Sequence, residues 1–476
     1  MTTTLLPRRL APVHYLLSFL ALGNIVLLGI VAANHLRIPF GLDPTETTAL
    51  NQVKLSVYPS QGAPASLYHY LCSFSAHFLG LTLTTLREVT LLATAGCALI
   101  LFLVTLRETR SKWWALMTVG LFAASYRALD GALDAAHSDM WLVFLILMGC
   151  YWIGYSETRL RDALGTLFLV AAFWTQPQQG AAFTIGGLAF LLWRDLRTGS
   201  SPFRSWPSLL MALSCGPVLY WALRFESVGP ILALPLNQWT GLTREQVRVF
   251  AEFLGRWFAL PAILAGAGLQ LSLERGRPLG VWGFFLPVAF LSTVLAGCTA
   301  GATIVTLMPL GIWLILNAML ALSRLSRSIH WLDPVYFPAI ALGLSFWALS
   351  YRPAEVLIPE VETRAIYQDL QQYIAQLDRP VYATSLEQPS FRNDEEARQI
   401  LKPVTSKPGY ILESEPLGND PALRYVADSY ILEQDLGDRF KLLGGLARQG
   451  PSRWPRYLYR YDPRAALRLS ATRTRP

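Results

Sequence analysis

The sequence predicts an α-helical membrane protein of many spans, followed by a small α/β unit. Three observations carry this. Hydrophobic residues make up 53% of the 476 and charged residues 15%, whereas soluble proteins hold roughly 25% charged residues. Long apolar runs recur through the first 350 positions. Past Tyr351 the composition turns polar and is punctuated by proline. The expected organisation is therefore a membrane domain over 1–350 and a small α/β domain over 351–476.

The first run, residues 13–34, is uncharged and follows Arg8 and Arg9. It is long enough to cross a bilayer, which takes roughly 20 residues. It is too long for a signal-peptide core and lacks a small-residue cleavage site, so it is expected to remain as an anchor. Further runs lie at 86–106, 113–126, 140–155, 163–174, 181–193, 206–223, 257–273, 281–298, 302–322 and 334–350. The count is about eleven spans, with 113–126 and 163–174 the shortest.

The loops supply the orientation. RETRSK (107–112), ETRLR (157–161), RDLRTGSSPFRS (194–205), LERGR (273–277) and SRLSRS (323–328) are short, basic and fall on alternate sides. They share the side of Arg8 and Arg9, which basic residues mark as cytoplasmic. The opposite loops hold Asp43, Glu46, Asp130, Asp134, Asp139, TQPQQG (175–180) and the segment 224–256. The amino terminus is expected inside and the carboxyl terminus outside, in the cytoplasmic (inner) membrane.

The first outer loop, 35–85, is long. Its second half, PASLYHYLCSFSAHFLG, spaces aromatic and aliphatic residues at helical intervals. This predicts a helix lying along the membrane surface, with an additional buried helix as the alternative. In the last segment PVYAT (380–384), PGYILES (408–414) and RYLYRY (456–461) read as strands, and ETRAIYQDLQQYIAQL (362–377) as an amphipathic helix. The final stretch, with Arg464, Arg468, Arg473 and Arg475, reads as a solvated basic tail, or else as a contact for anionic lipid or glycan.

Several classes are set aside. The net charge of +8 follows from basic inner loops and the tail, and there is no nucleic-acid motif. All five cysteines (Cys72, Cys97, Cys150, Cys215, Cys298) lie in apolar stretches, and the six histidines are scattered. Neither a disulfide framework nor a zinc spacing results. No metal or cofactor is required, although a divalent ion is compatible. No internal repeat is evident.

Chemistry is expected at the outer acidic positions, since ionisable groups near membrane depth are costly and usually functional or paired. Asp43 and Glu46, in Asp43-Pro44-Thr45-Glu46, lie just beyond the first span; a solvated Asp-Pro turn and a first-turn helix acid are their plain alternatives. Asp134, and His137 and Asp139 in AHSDMWLVF, open the fourth span, where Asp139 also suits a helix N-terminus. Arg87 and Arg127 reach the same boundary. A guanidinium there is suited to bidentate phosphate contact, or to snorkelling and local pairing.

The order of these features resembles the GT-C superfamily of polyprenyl-phosphate-sugar-dependent glycosyltransferases, including the protein O-mannosyltransferases and the aminoarabinose transferases of family 39. Such proteins carry an acidic motif in the first outer loop, a Pro-Pro-aromatic surface helix, a Gly, and an Arg opening the second span. A second acid opens the fourth span, and a Thr-Lys hairpin follows. This chain reads LDPTETTALNQ, then GAPASLYHYLCSFSAHFLGLTLTTLREV, HSDMWLVF and WTQPQQGAAF. The match covers residues 10–200 and continues only in outline. It departs at Ala63-Pro64-Ala65 in place of Lys-Pro-Pro, at Thr175-Gln176 in place of Thr-Lys, and in GCTAGATIVTLMP, which lacks a basic residue.

The resemblance implies transfer of a sugar from a polyprenyl-phosphate donor to a hydroxyl of a glycan, lipid or protein on the outer face, with inversion. Asp43 or Glu46 is then the base and Asp139 positions the acceptor or the base. Arg127 and Arg87 bind the donor phosphate, and His137 and Asp134 lie on the acceptor side; Arg127, Lys54 or Arg224 are the candidates to compensate for the missing basic residues. The competing readings are a non-catalytic membrane subunit binding lipid or glycan, favoured by the missing lysines, and a secondary transporter.

Overall fold

The structure, a computed structural model, describes residues 11–38, 46, 49–50, 52–53, 66–199, 206–218, 243–274, 280–298, 304–328, 336–358, 360–378, 381–383, 409–413, 430–436 and 457–462. Asp43, Lys54, the Ala63-Pro64-Ala65 departure, Arg224 and the basic tail lie outside the described residues.

Every apolar run coincides with helix over its described residues. In chain order these are α1 (Ala11–Leu36), α2 (Leu67–Leu79), α3 (Leu83–Thr109), α4 (Lys112–Ala124), α5 (Asp139–Gly154), α6 (Arg159–Thr175) and α7 (Pro177–Arg197). There follow α8 (Trp206–Leu213), α9 (Arg244–Glu252), α10 (Ala259–Glu274), α11 (Val281–Gly297), α12 (Met308–Ser328) and α13 (Tyr336–Leu349). The sequence missed a π-helical stretch, Phe253–Phe258, which joins α9 to α10, and a kink at Gly216 (φ −91°, ψ −106°) just past α8. Among the described residues, Pro12–Leu36, Leu83–Thr109, Gln246–Glu274 and Ile304–Ser326 are long and apolar enough to cross a membrane. Shorter apolar helices are Asp139–Gly154, Val281–Gly297 and Tyr336–Leu349.

The helices pack against one another around α12, which is enclosed along most of its length. Trp282, Phe183, Phe285 and Trp313 fill the middle. Small residues permit close approach elsewhere: a side chain on Gly154 would strike Val281, and one on Gly187 would strike Leu169. The opposite surface is apolar too, with Tyr15 and Phe19 of α1 and Trp347 of α13 about three-quarters exposed or more. Bundles that bury small and aromatic residues while exposing large apolar ones are built for lipid.

The two classes of loop segregate. The basic loops meet at one end, where Tyr155 donates to Glu108 (2.7 Å), Arg324 pairs with Glu108 (3.5 Å) and Arg194 grips Asp162 through two bonds of 2.9 and 2.8 Å. Among the described residues, the acidic positions Glu46, Asp134 and Asp139 gather at the other end.

At α2 the surface-helix expectation gains detail. Tyr68 and Cys72 point inward, while Tyr70, Phe74, Phe78 and Leu79 stand exposed by 61–69%. That apolar stripe at helical spacing faces away from the protein. The entry to the helix is fixed by Ser66, whose backbone N–H and hydroxyl both bond His69 Nδ1 (3.1 and 2.9 Å). Burial holds the His69 imidazole down at about 4, so it is neutral and accepts the Ser66 N–H.

Beyond α13 a short turn of helix, α14 (Pro353–Val356), leads to α15 (Glu360–Ala375) and four strands: β1 (Val381–Ala383), β2 (Tyr410–Glu413), β3 (Tyr430–Asp435) and β4 (Tyr457–Tyr461). Three strands and the helix are those the sequence marks; β3 it missed. The sheet order is β1-β2-β4-β3, with β1 and β2 parallel and the rest antiparallel. Tyr410, Leu412 and Leu458 bury against Tyr367 and Leu370 of α15 and reach Ile38 and Ile358.

Candidate active site

The centre of the acidic end is an ion pair between Glu46 and Arg87, both with side chains fully buried. Arg87 Nε donates to Glu46 Oε1 at 3.1 Å and Nη2 to Oε2 at 2.7 Å. Its Nη1 donates to the carbonyls of His35, in the last turn of α1, and of Ile38, two residues past its end, each at 2.7 Å, and the His35 carbonyl also accepts the Ile38 N–H at 3.1 Å. Glu46 Oε1 also accepts the Ala136 N–H at 2.7 Å. A buried ion pair is tolerable only when its remaining lone pairs and protons are satisfied, and here they are. The two residues therefore tie the first outer loop, the end of α1, the start of α3 and the 125–138 loop into one block. Both were expected to face substrate, Glu46 as a base and Arg87 as a phosphate ligand; in this structure they face each other.

Asp134 joins the same block. Tyr126 donates to its Oδ1 at 2.9 Å, and its Oδ2 lies 2.8 Å from His35 Nδ1. His35 Nε2 sits 3.1 Å from the carbonyl of Val356, which can only accept. A proton is thus required on Nε2, while Nδ1 lies within bonding distance of both Asp134 Oδ2 and the Tyr126 hydroxyl (3.2 Å). Beside it, Asn34 clasps Ile358 by both its N–H and its carbonyl, each at 2.9 Å. These bonds fasten the end of α1 to the segment leading into the sheet. The sequence placed Asp134 on the acceptor side; it lies 1% exposed within this clasp. His35, Tyr126 and Asn34 were not singled out, although a histidine and an asparagine at the end of an apolar span are the kind of signal that finds such a site.

Asp139 lies one step away, as the first residue of α5 and 8% exposed. The Gln176 amide donates 2.8 Å to its Oδ1 and 3.0 Å to the Ser138 hydroxyl. Its Oδ2 is 3.8 Å from His137 Nδ1. The structure thus brings Asp139, His137 and Gln176 together. Arg127 is exposed on the same end, its guanidinium 5.7 Å from the centre of the Trp257 ring, with Asp130 and Gly131 turning the chain after it at positive φ (55° and 72°). Left-handed backbone is natural for glycine and tolerated by Asp. Among the described residues no group of three His, Cys, Asp or Glu side chains is placed to hold a metal.

No protein-family model and no curated protein sequence matches the chain. The solved structures that match in three dimensions include two of ArnT from Cupriavidus metallidurans. The form bound to undecaprenyl phosphate has a TM-score of 0.52 at 12% identity, covering 93% of this chain and 98% of that one. The apo form has a TM-score of 0.52 at 13% identity, covering 92% and 98%. The overlap runs through the membrane helices and on into the last segment, well past the residues that carried the resemblance in sequence. The chain therefore has the fold of ArnT over nearly its whole length.

Proposed function

We propose that this chain is a membrane glycosyltransferase that moves a sugar from a polyprenyl-phosphate donor to a hydroxyl of a glycan, lipid or protein. The reaction takes place at the acidic end of the bundle, on the outer face of the cytoplasmic membrane, and inverts the anomeric centre. The observation that carries this reading is the fold of ArnT, a GT-C aminoarabinose transferase seen with undecaprenyl phosphate, together with the clustering of acids at one end of a lipid-facing bundle.

In the reaction the acceptor oxygen attacks the anomeric carbon while the bond from that carbon to the phosphate oxygen breaks. Polyprenyl phosphate departs with the bonding pair, and the hydroxyl proton passes to a carboxylate. Asp43 takes the role of base, because the lone pairs of Glu46 are committed to Arg87 and Ala136. Asp139 orients the acceptor hydroxyl, with His137 beside it. Arg127 balances charge on the departing phosphate. The Glu46–Arg87 and His35–Asp134 pairs brace the loops that carry Arg127, His137 and Asp139. No metal is assigned a role. The eleven spans alternate, with the amino terminus inside and the 351–476 domain outside, where it shapes acceptor choice.

A second reading, a non-catalytic subunit that binds lipid or glycan, is favoured by Gln176 standing where relatives carry lysine and by the internal pairing of Arg87. Radiolabelled polyprenyl-phosphate sugars, added to membranes rich in the wild type or the Asp43→Asn variant, separate the two. Label entering a membrane acceptor with the wild type alone supports transfer; none with any donor favours the binding subunit.

A further inference from the structure

We propose that Gln176 is a positioning residue of the transferase: it fixes the orientation of the Asp139 carboxylate through a neutral amide rather than through a cation. The inference rests on the transferase reading above and deepens it. It begins with the backbone. Gln176 is extended (φ −143°, ψ 100°) between α6 and α7 and precedes Pro177, which disfavours helical geometry at that position. Its N–H bonds the Ala172 carbonyl at 3.0 Å and its own carbonyl accepts from Gly180 at 2.9 Å. Gly180 lies so close to the backbone of Phe173 and Ala172 that a Cβ there would overlap them. The two helices thus meet backbone to backbone, and the base of the Gln176 side chain is fixed.

The amide at its tip is fixed as well. An NH2 group offers two donors, and two acceptors lie at bonding distance, Asp139 Oδ1 and Ser138 Oγ. The reverse amide orientation would set an oxygen against a carboxylate. Asp139 Oδ1 is therefore held, and Oδ2 is turned toward His137 and the site. The titratable group that faces Asp139 from its own segment is His137, at 3.8 Å; from α6 and α7 packed against it comes a neutral amide. A lysine in that place would donate the same bond and cancel the charge. A glutamine donates the bond and leaves the carboxylate able to take a hydrogen bond from a neutral hydroxyl at full strength. A site built this way selects an acceptor hydroxyl by charge-assisted bonding rather than by an ion pair.

The test uses the full-length protein in lipid nanodiscs as wild type, Gln176→Leu and Gln176→Lys, each checked for an unchanged melting profile. The first readout is the rate at which a hydrophobic carbodiimide labels Asp139 across pH, followed by peptide mass spectrometry; it needs no donor and no turnover. Removing the hydrogen bond shifts the labelling midpoint up by about one pH unit, and adding a cation shifts it down by a similar amount. Opposite shifts in two folded variants are not a property of a merely structural residue. The second readout is transfer: kcat falls roughly 10- to 100-fold in Gln176→Leu, as expected for a misplaced reacting group, while the donor KM stays within about threefold of wild type. Equal midpoints in all three proteins overturn the inference, whatever the transfer result. Opposite shifts in a protein that transfers no sugar support the positioning of Asp139 and count against the transferase reading alone.

Discussion

Arg87 and Glu46 are joined side by side, at 3.1 and 2.7 Å, in a place that water does not reach. Arg87 Nη1 donates to the carbonyls of His35, in the last turn of α1, and of Ile38 just beyond it, so one guanidinium closes a loop, caps a helix and neutralises an acid. Breaking a buried pair by removing one partner typically costs about 3–5 kcal/mol, because the other charge is stranded. Arg87→Ala and Glu46→Gln are each expected to lower the midpoint of detergent-solubilised thermal unfolding strongly. Arg87→Lys is expected to rescue little, since an ammonium cannot span both oxygens and both carbonyls. Wild-type melting of either single variant contradicts this role.

Gly180 predicts a second effect. Gly180→Ala drives a methyl group into the backbone of Phe173 and Ala172, which cannot yield as a side chain can. Overpacking of this kind typically costs about 1–3 kcal/mol. The variant is expected to expand the α6–α7 hairpin and weaken the Gln176–Asp139 bond, visible as faster hydrogen exchange at residues 172–180. Unchanged exchange there counts against the close contact.

The clasp between α1 and the sheet-bearing segment gives a third. Asn34→Leu removes both bonds to Ile358, and at about 1 kcal/mol for each net hydrogen bond the loss is about 2 kcal/mol. Limited proteolysis near residues 350–358 is expected to accelerate, while the helices 139–197 keep their protection. An equal rise in both regions shows general unfolding instead.

His69 carries a pH prediction. Its folded value of about 4 lies below the ordinary 6.5, so the unfolded chain binds more protons between those limits. Stability from this residue is complete above about 6.5 and is lost as pH falls toward 4. Protection of the α2 amide groups is expected to fall over that window in wild type and to fall less in His69→Gln. Parallel profiles in the two proteins contradict the assignment.

Much of this was legible in the sequence because its signals are local. Twenty apolar residues, a basic loop and an alternating strand each speak for themselves, and so the helices, α15 and three strands stand where they were read. The acids at 46, 134 and 139 were found as costly residues near membrane depth. Their partners were not, because pairing depends on which loops the fold brings together: Arg87 lies 41 residues from Glu46, and His35 lies 99 from Asp134. Gln176 passed as a departure from a motif, since a neutral amide gives no signal of its own until its two acceptors are seen. The strand β3 was missed because YILEQD alternates poorly, and only its first residue is buried.

The most direct measurement is transfer by the purified chain in nanodiscs from an undecaprenyl-phosphate-linked sugar to a membrane acceptor, comparing wild type with Asp139→Asn. The account predicts that wild type releases undecaprenyl phosphate and forms a product of inverted anomeric configuration. Asp139→Asn, folded equally well, is expected to lose roughly 100-fold or more of that rate, the scale set by misplacing a reacting group. Retained configuration, or equal rates from both proteins, contradicts it.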